Sequence, residues 1–174
     1  MWVGTAKLLF GLLVATVGGL LASRLLSRLL GLGRVEEELK RGNVAVALLE
    51  VGALLSLALL CKPAVEATFT SMDYLYRGRG VTPAVLLEFA RFGFGHVGLA
   101  LAVGAGVMAT GTLLYAGLTR RVDEIAAVRE GNPAPALVIA AVMVAMALLA
   151  EPGLETMLDG LIPMPVLLDT EHAR

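Results

Sequence analysis

Four long stretches of this chain carry almost no charge, and that pattern restricts the fold more than any other feature. Residues 8–23 hold no Asp, Glu, Lys or Arg, and the apolar pattern runs on to Leu30 past Arg24 and Arg28. Residues 44–61 are interrupted only by Glu50, residues 92–119 carry only His96, and residues 131–150 carry no charge at all. A membrane-spanning helix takes about 20 apolar residues. Inside hydrocarbon, a single apolar segment satisfies its own backbone hydrogen bonds only as a helix. The expectation is therefore an all-α integral membrane protein with four transmembrane helices, at about 8–30, 44–61, 92–118 and 132–150. Composition agrees: 57% of residues are hydrophobic and 17% charged, against roughly 45–50% and about 25% in a typical soluble domain. A net charge of -1 offers no basic footprint for nucleic acid. The lone Cys61 excludes an intrachain disulfide framework and a Cys-cluster metal site.

Between the apolar runs the chain turns abruptly polar. The elbows 31–42 (GLGRVEEELKRG) and 118–130 (LTRRVDEIAAVRE) are short and charge-rich. Gly31 and Gly33 end the first helix, and Arg120 with Arg121 ends the third. The resulting division is a first hairpin repeat over 1–67, an extramembrane loop over 68–91, a second hairpin over 92–157 and a tail over 158–174. A short interfacial helix is expected at 64–76, and the tail is expected to form no regular span. Lys7 followed by Leu8–Leu21 has the look of a signal peptide. The apolar run extends beyond Ala22 and has a counterpart later in the chain, so it reads as a permanent span.

The hairpins are copies of each other. A shift of 89 positions lays Gly42-Asn43 on Gly131-Asn132, Pro63 on Pro152 and Glu66 on Glu155, with ten identities in twenty-five positions. Several of these are polar or conformationally special, which shared hydrophobicity alone does not produce. Each unit crosses twice, so the second starts on the side where the first did. The repeats are expected to be parallel, related by rotation of roughly 180° about the membrane normal. The elbow side carries eight Lys and Arg residues and the opposite side six, which favours cytoplasmic elbows with both termini outside.

The segments EEELKRGNVAVALLEVGALLSLALLCKPAVE and VREGNPAPALVIAAVMVAMALLAEPGLE resemble the two copies of the repeat in YjfL-like bacterial inner-membrane proteins, the domain of unknown function number 350. Gly42-Asn43, Ala45, Ala47 and Gly52 match the pattern in the first copy. Gly131-Asn132, Ala134 and Ala136 match in the second, where Ala141 stands at the glycine position. Pro133 and Pro135 depart from it. The resemblance implies a small multi-span protein of the bacterial inner membrane, with no catalytic residues to carry over.

Five polar residues stand out. Asn43 and Asn132 sit where an elbow becomes a helix and read as N-caps, worth about 1 kcal/mol each. Their helix N-termini offer an alternative use, holding an anionic group. His96, near the outer end of the third span, reads as a hydrogen-bonded interface residue more readily than as a ligand. Glu50 lies within a span, where a charged side chain costs about 2.5–3.5 kcal/mol even on the forgiving insertion scale. Arg24, at a similar depth on the preceding helix, is its expected partner. The second repeat has Leu113 and Ile139 at those two positions. Small-residue ladders at Gly11-Ala15-Gly19 and Gly98-Ala102-Gly106 are expected to let helices approach closely.

No catalytic constellation, metal set or cofactor motif appears in the sequence, so no enzymatic activity is expected. The leading expectation is a non-enzymatic component of the bilayer that packs with copies of itself or with another membrane protein. A channel or transporter for an ion or small solute, built around Glu50, His96 and the two Gly-Asn elbows, is the competing one. An accessory subunit of a larger complex is the third.

Overall fold

The computed structural model describes residues 2–79, 82–118 and 123–161. Six helices follow in order: α1 (Trp2–Leu29), α2 (Val35–Lys40), α3 (Val44–Arg79), α4 (Pro83–Leu118), α5 (Glu124–Arg129) and α6 (Pro133–Leu161). No strand occurs among the described residues. α1, α3, α4 and α6 are each long and apolar enough to cross a membrane. The duplication shows in the element bounds. α5 lies 89 residues after α2 at both ends, and α6 starts 89 residues after α3. Gly42 (φ +77°) and Gly131 (φ +90°) both take the left-handed conformation, which a glycine adopts without a steric penalty.

The long helices outrun the expected spans. Residues 68–91 do not form a separate loop, because α3 continues to Arg79 and α4 begins at Pro83. The chain between Glu151 and Leu161 is likewise helical as the end of α6. Pro63 and Pro152 sit inside helices. A proline removes one backbone hydrogen bond and crowds the preceding turn, yet α3 continues because its buried stripe does. Ala64, Thr68, Ser71 and Met72 are all buried at helical spacing beyond Pro63, and Thr68 Oγ1 donates to the Ala64 carbonyl at 2.7 Å. The tail beyond Leu161 and the pair Arg120–Arg121 lie outside the described residues.

α3 pairs most extensively with α6 and then with α4, while α1 packs on α3 and α4. The helices form a diamond, with α3 and α4 across its middle and α1 and α6 at its outer corners. Half of α3's most apolar window is buried, against 17% for α1 and 28% for α6. This corrects the expected rotation of roughly 180°. A two-fold would pair α1 with α6 as α4 pairs with α3, and α1 and α6 share no packed interface. It would also repeat the contact of Gly52 with Ala140 as one between Ala141 and Val51, and both of those are exposed.

Candidate functional site

The elbows are joined to each other at one end of the bundle. At the start of α3, Asn43 Oδ1 accepts from the Val46 N–H at 3.1 Å, the N-cap expected of it. At the start of α6, Asn132 Oδ1 accepts from the Ala134 N–H at 3.0 Å. Asn43 does more. Its Nδ2 donates to Glu38 Oε2 at 3.1 Å, to the Arg129 carbonyl at 3.2 Å and to the Val128 carbonyl at 3.4 Å. The last two are carbonyls at the C-terminal end of α5, in the other repeat. In return, Arg129 Nε donates to the Leu30 carbonyl at 2.5 Å, just past the end of α1. A cation suits that place, since the last carbonyls of a helix carry partial negative charge. Gly31 (φ +60°) turns the chain there, and a Cβ on it would stand 2.6 Å from the Arg129 guanidinium.

The elbow helices are held by different means. Asp123 caps α5, its Oδ1 accepting from the Ala126 N–H at 2.9 Å. Arg34 at the matching position gives no side-chain cap. The α2 backbone is served by Ser27 of α1 instead, whose Oγ accepts from the Val35 N–H at 3.2 Å. On the exposed face of α2, Lys40 Nζ lies 2.8 Å from Glu36 Oε1. The ammonium holds the Glu36 carboxyl below its ordinary value, and the carboxylate holds Lys40 above its own.

Within the span, the structure gives Glu50 a different partner from the expected one. Ser23 Oγ donates to Glu50 Oε1 across the α1–α3 seam. Arg24, one residue on, is exposed, and no ion pair joins it to Glu50. Consecutive helical residues point about 100° apart, so the hydroxyl and the guanidinium cannot both face α3. Glu50 Oε2 is buried without a hydrogen-bond partner. In the second repeat, Ile139 takes the place of Glu50 and is fully buried. Thr112 takes the place of Ser23, and its hydroxyl turns back to the Met108 carbonyl of its own helix at 2.9 Å. The hydroxyl is the shared feature, and its partner changes with the residue opposite.

His96 is buried on α4, with Nδ1 3.1 Å from the Phe92 carbonyl and its ring centroid 3.9 Å from that of Phe92. Both of these contacts lie within α4, and His96 does not meet Glu50 or either asparagine. The ladders divide. Gly19 approaches Leu54 of α3 and Gly11 approaches Phe69, while Ala15 is exposed. Gly98, Ala102 and Gly106 all face outward, and none of the described residues lies within 4 Å of a Cβ built on the two glycines, their own helix backbone aside. The intimate glycines are others. A Cβ on Gly52 would stand 2.8 Å from the Ala140 backbone, and one on Gly104 would collide with Leu57. Gly52 was visible in the sequence as part of the repeat; Gly104, in a run of small residues, had no distinguishing mark. Glu66 and Glu155 are both exposed. Among the described residues no group of acidic, histidine or cysteine side chains could hold a metal ion.

A family model described as Domain of Unknown Function (DUF350) matches the chain twice, over residues 1–101 and 81–167. No curated protein and no solved structure matches it.

Proposed function

The chain belongs to the DUF350 family, and from that footing we propose that it works as a self-associating, non-enzymatic component of the bacterial inner membrane. The observation that carries this reading is the inequality of the four long helices. α1 and α6 are the least buried, yet each is as long as a full span and keeps an apolar face turned outward (Leu12 and Leu13 on α1, Leu148 and Leu149 on α6). Lipid solvates such faces, and helix association in a bilayer then rests on close packing. The meeting of the elbows supports a parallel arrangement of the repeats. The excess of Lys and Arg on the elbow side supports cytoplasmic elbows. Extraction in mild detergent, followed by native mass measurement and by reconstitution in nanodiscs, tests the reading. A particle of more than one copy is expected, and a single copy in every medium would end it.

A second reading is favoured by one observation, the buried and unpartnered Oε2 of Glu50 on the α1–α3 seam. An intramembrane carboxylate marks an ion pathway by default. On this reading the protein passes an ion or small solute. Flux into proteoliposomes that disappears in Glu50→Gln would replace the first reading with this one.

A further inference from the structure

The internal duplication supplies a template for what covers the outer helices. In the chain, α3 sits against both α4 and α6. Gly104 of α4 lies against Leu57 and Leu60, and Gly93 of α4 lies against Thr68. Those three α3 residues are almost wholly buried, at 3%, 0% and 0% exposure. The shift of 89 carries this contact onto Ala15 and Gly4 of α1, facing Met146, Leu149 and Met157 of α6. Those groups do not meet within one chain. Leu149 is 83% exposed, the equivalent of a residue that is fully buried, and Met157 is 43% exposed. Ala15 and Gly4 are exposed as well.

A matching vacancy lies on the other side. The place of α3 against α4 and α6 has its repeat equivalent between α1 and α3. A groove of about 610 Å³ opens there, walled by Gly11, Ala15 and Gly19 of α1 and by Leu54, Ala58 and Lys62 of α3. The helix that the duplication assigns to it is an α6, and the chain's own α6 is on the far side of the diamond. Small residues meet large ones in both settings: Gly104 lies against Leu60 within the chain, and Ala15 would lie against Leu149. Charge agrees. α6 carries Glu151, Glu155 and Asp159 at four-residue spacing and no Lys or Arg, and like charges so spaced destabilise a helix. Lys62 stands exposed on the groove wall, beside Glu66, and makes no ion pair among the described residues.

We propose that the α1–α3 groove of one copy receives the α6 of a second copy, reproducing between chains the packing of α4 and α6 around α3 within one chain. The contact is head-to-tail, joining unlike faces, so it assembles copies around an axis along the membrane normal. This proposal rests on the self-association reading and adds the faces that perform it.

Single-cysteine variants in a Cys61→Ala background test it in native membranes. Ala15→Cys and Leu149→Cys, co-expressed with different tags, should oxidise to a cross-linked pair carrying both tags, and neither variant alone should do so. Leu149→Asn should shift the native mass toward a single copy with helicity and thermal stability retained, since it alters an exposed position. Cross-linking through Gly106→Cys in a particle that keeps its mass with Leu149→Asn would overturn the assigned faces and leave self-association standing. A single copy by native mass, with no cross-link at any of these positions, would overturn both. That last result would leave the groove to a lipid chain.

Discussion

The α1–α3 seam and the α4–α6 seam descend from one repeat, and they treat the same hydroxyl differently. In the first, Ser23 reaches across to Glu50. In the second, Thr112 bonds its own helix and Ile139 fills the space opposite. The acid therefore changed the partner of a group that both seams keep, and it did so without the arginine beside that group. Position on the helix face decides this. Arg24 corresponds to Leu113, which is 61% exposed, so the outward direction is a property of the site in both repeats. The loss of both charges in the second repeat is two separate substitutions, one on the exposed face and one facing the seam.

The comparison breaks most visibly at Gly52 and its equivalent, Ala141. Gly52→Leu would drive a side chain into the Ala140 backbone, and backbone cannot move aside as a side chain end can. Overpacking costs about 1–3 kcal/mol, occasionally more, and a clash with backbone puts this one at about 3 kcal/mol. Ala141 is exposed, and Ala141→Leu should stay within about 0.5 kcal/mol of the parent. Thermal unfolding in detergent, followed by circular dichroism, separates the two. Equal losses would mean that the α3–α6 seam is symmetric after all.

The asparagines sharpen the comparison next. Asn132→Ala removes one cap and should cost about 1 kcal/mol. Asn43→Ala removes a cap and also the amide's hydrogen bonds to Glu38 and to the Arg129 carbonyl of the other elbow, so about 2–3 kcal/mol is expected. An Asn43→Ala loss no larger than that of Asn132→Ala would show that the elbows do not hold each other. Below Asn43 in size stands the Ser23–Glu50 contact. Ser23→Ala and Glu50→Gln should be coupled by about 1–2 kcal/mol in a double-mutant cycle, while Arg24→Gln and Glu50→Gln should add within about 0.5 kcal/mol. Coupling through Arg24 in place of Ser23 would reverse the assignment.

The fold was legible where one physical rule dominated. Uncharged runs gave four long helices, and Gly42 and Gly131 with their asparagines marked both helix starts, because a left-handed glycine and an N-cap are local requirements. The ends of the helices were not legible. Pro63 and the charges after it suggested an exit from the membrane, and only the burial of Ala64, Thr68 and Met72 against neighbouring helices carries α3 onward. The site was half legible for a similar reason. Depth along a helix follows from counting residues, which placed Glu50 near Ser23 and Arg24 alike. Which of the two faces α3 depends on how the helices are rotated, and adjacent residues in a span carry no local sign of that. Arg129 was one elbow charge among eight until its carbonyl partner, 99 residues away, was in view.

The smallest effect lies at Lys40, whose repeat equivalent Arg129 contributes more. Arg129 bonds a carbonyl of the other repeat, and a hydrogen bond to a charged donor contributes about 1.5–3 kcal/mol, so Arg129→Ala should lower stability measurably. Lys40 pairs with Glu36, four residues earlier on the same exposed turn, and Ile125 stands in the place of Glu36 in the second repeat. The sign of its pH dependence follows from the two shifts. Glu36 is lowered, so its contribution is full above the ordinary carboxylate range and fades as pH falls through its folded value. Lys40 is raised, so its contribution is full below the ordinary lysine range and fades as pH rises through its folded value. Between those limits both are fully charged, and the pair is flat across neutral pH. Exposure and salt screening reduce such a pair to little. Lys40→Ala should therefore leave the unfolding temperature unchanged from weakly acid to weakly alkaline conditions, while Arg129→Ala lowers it throughout. Equal behaviour of the two variants would mean that the elbows are held by surface charge, with the bond from Arg129 to Leu30 contributing nothing.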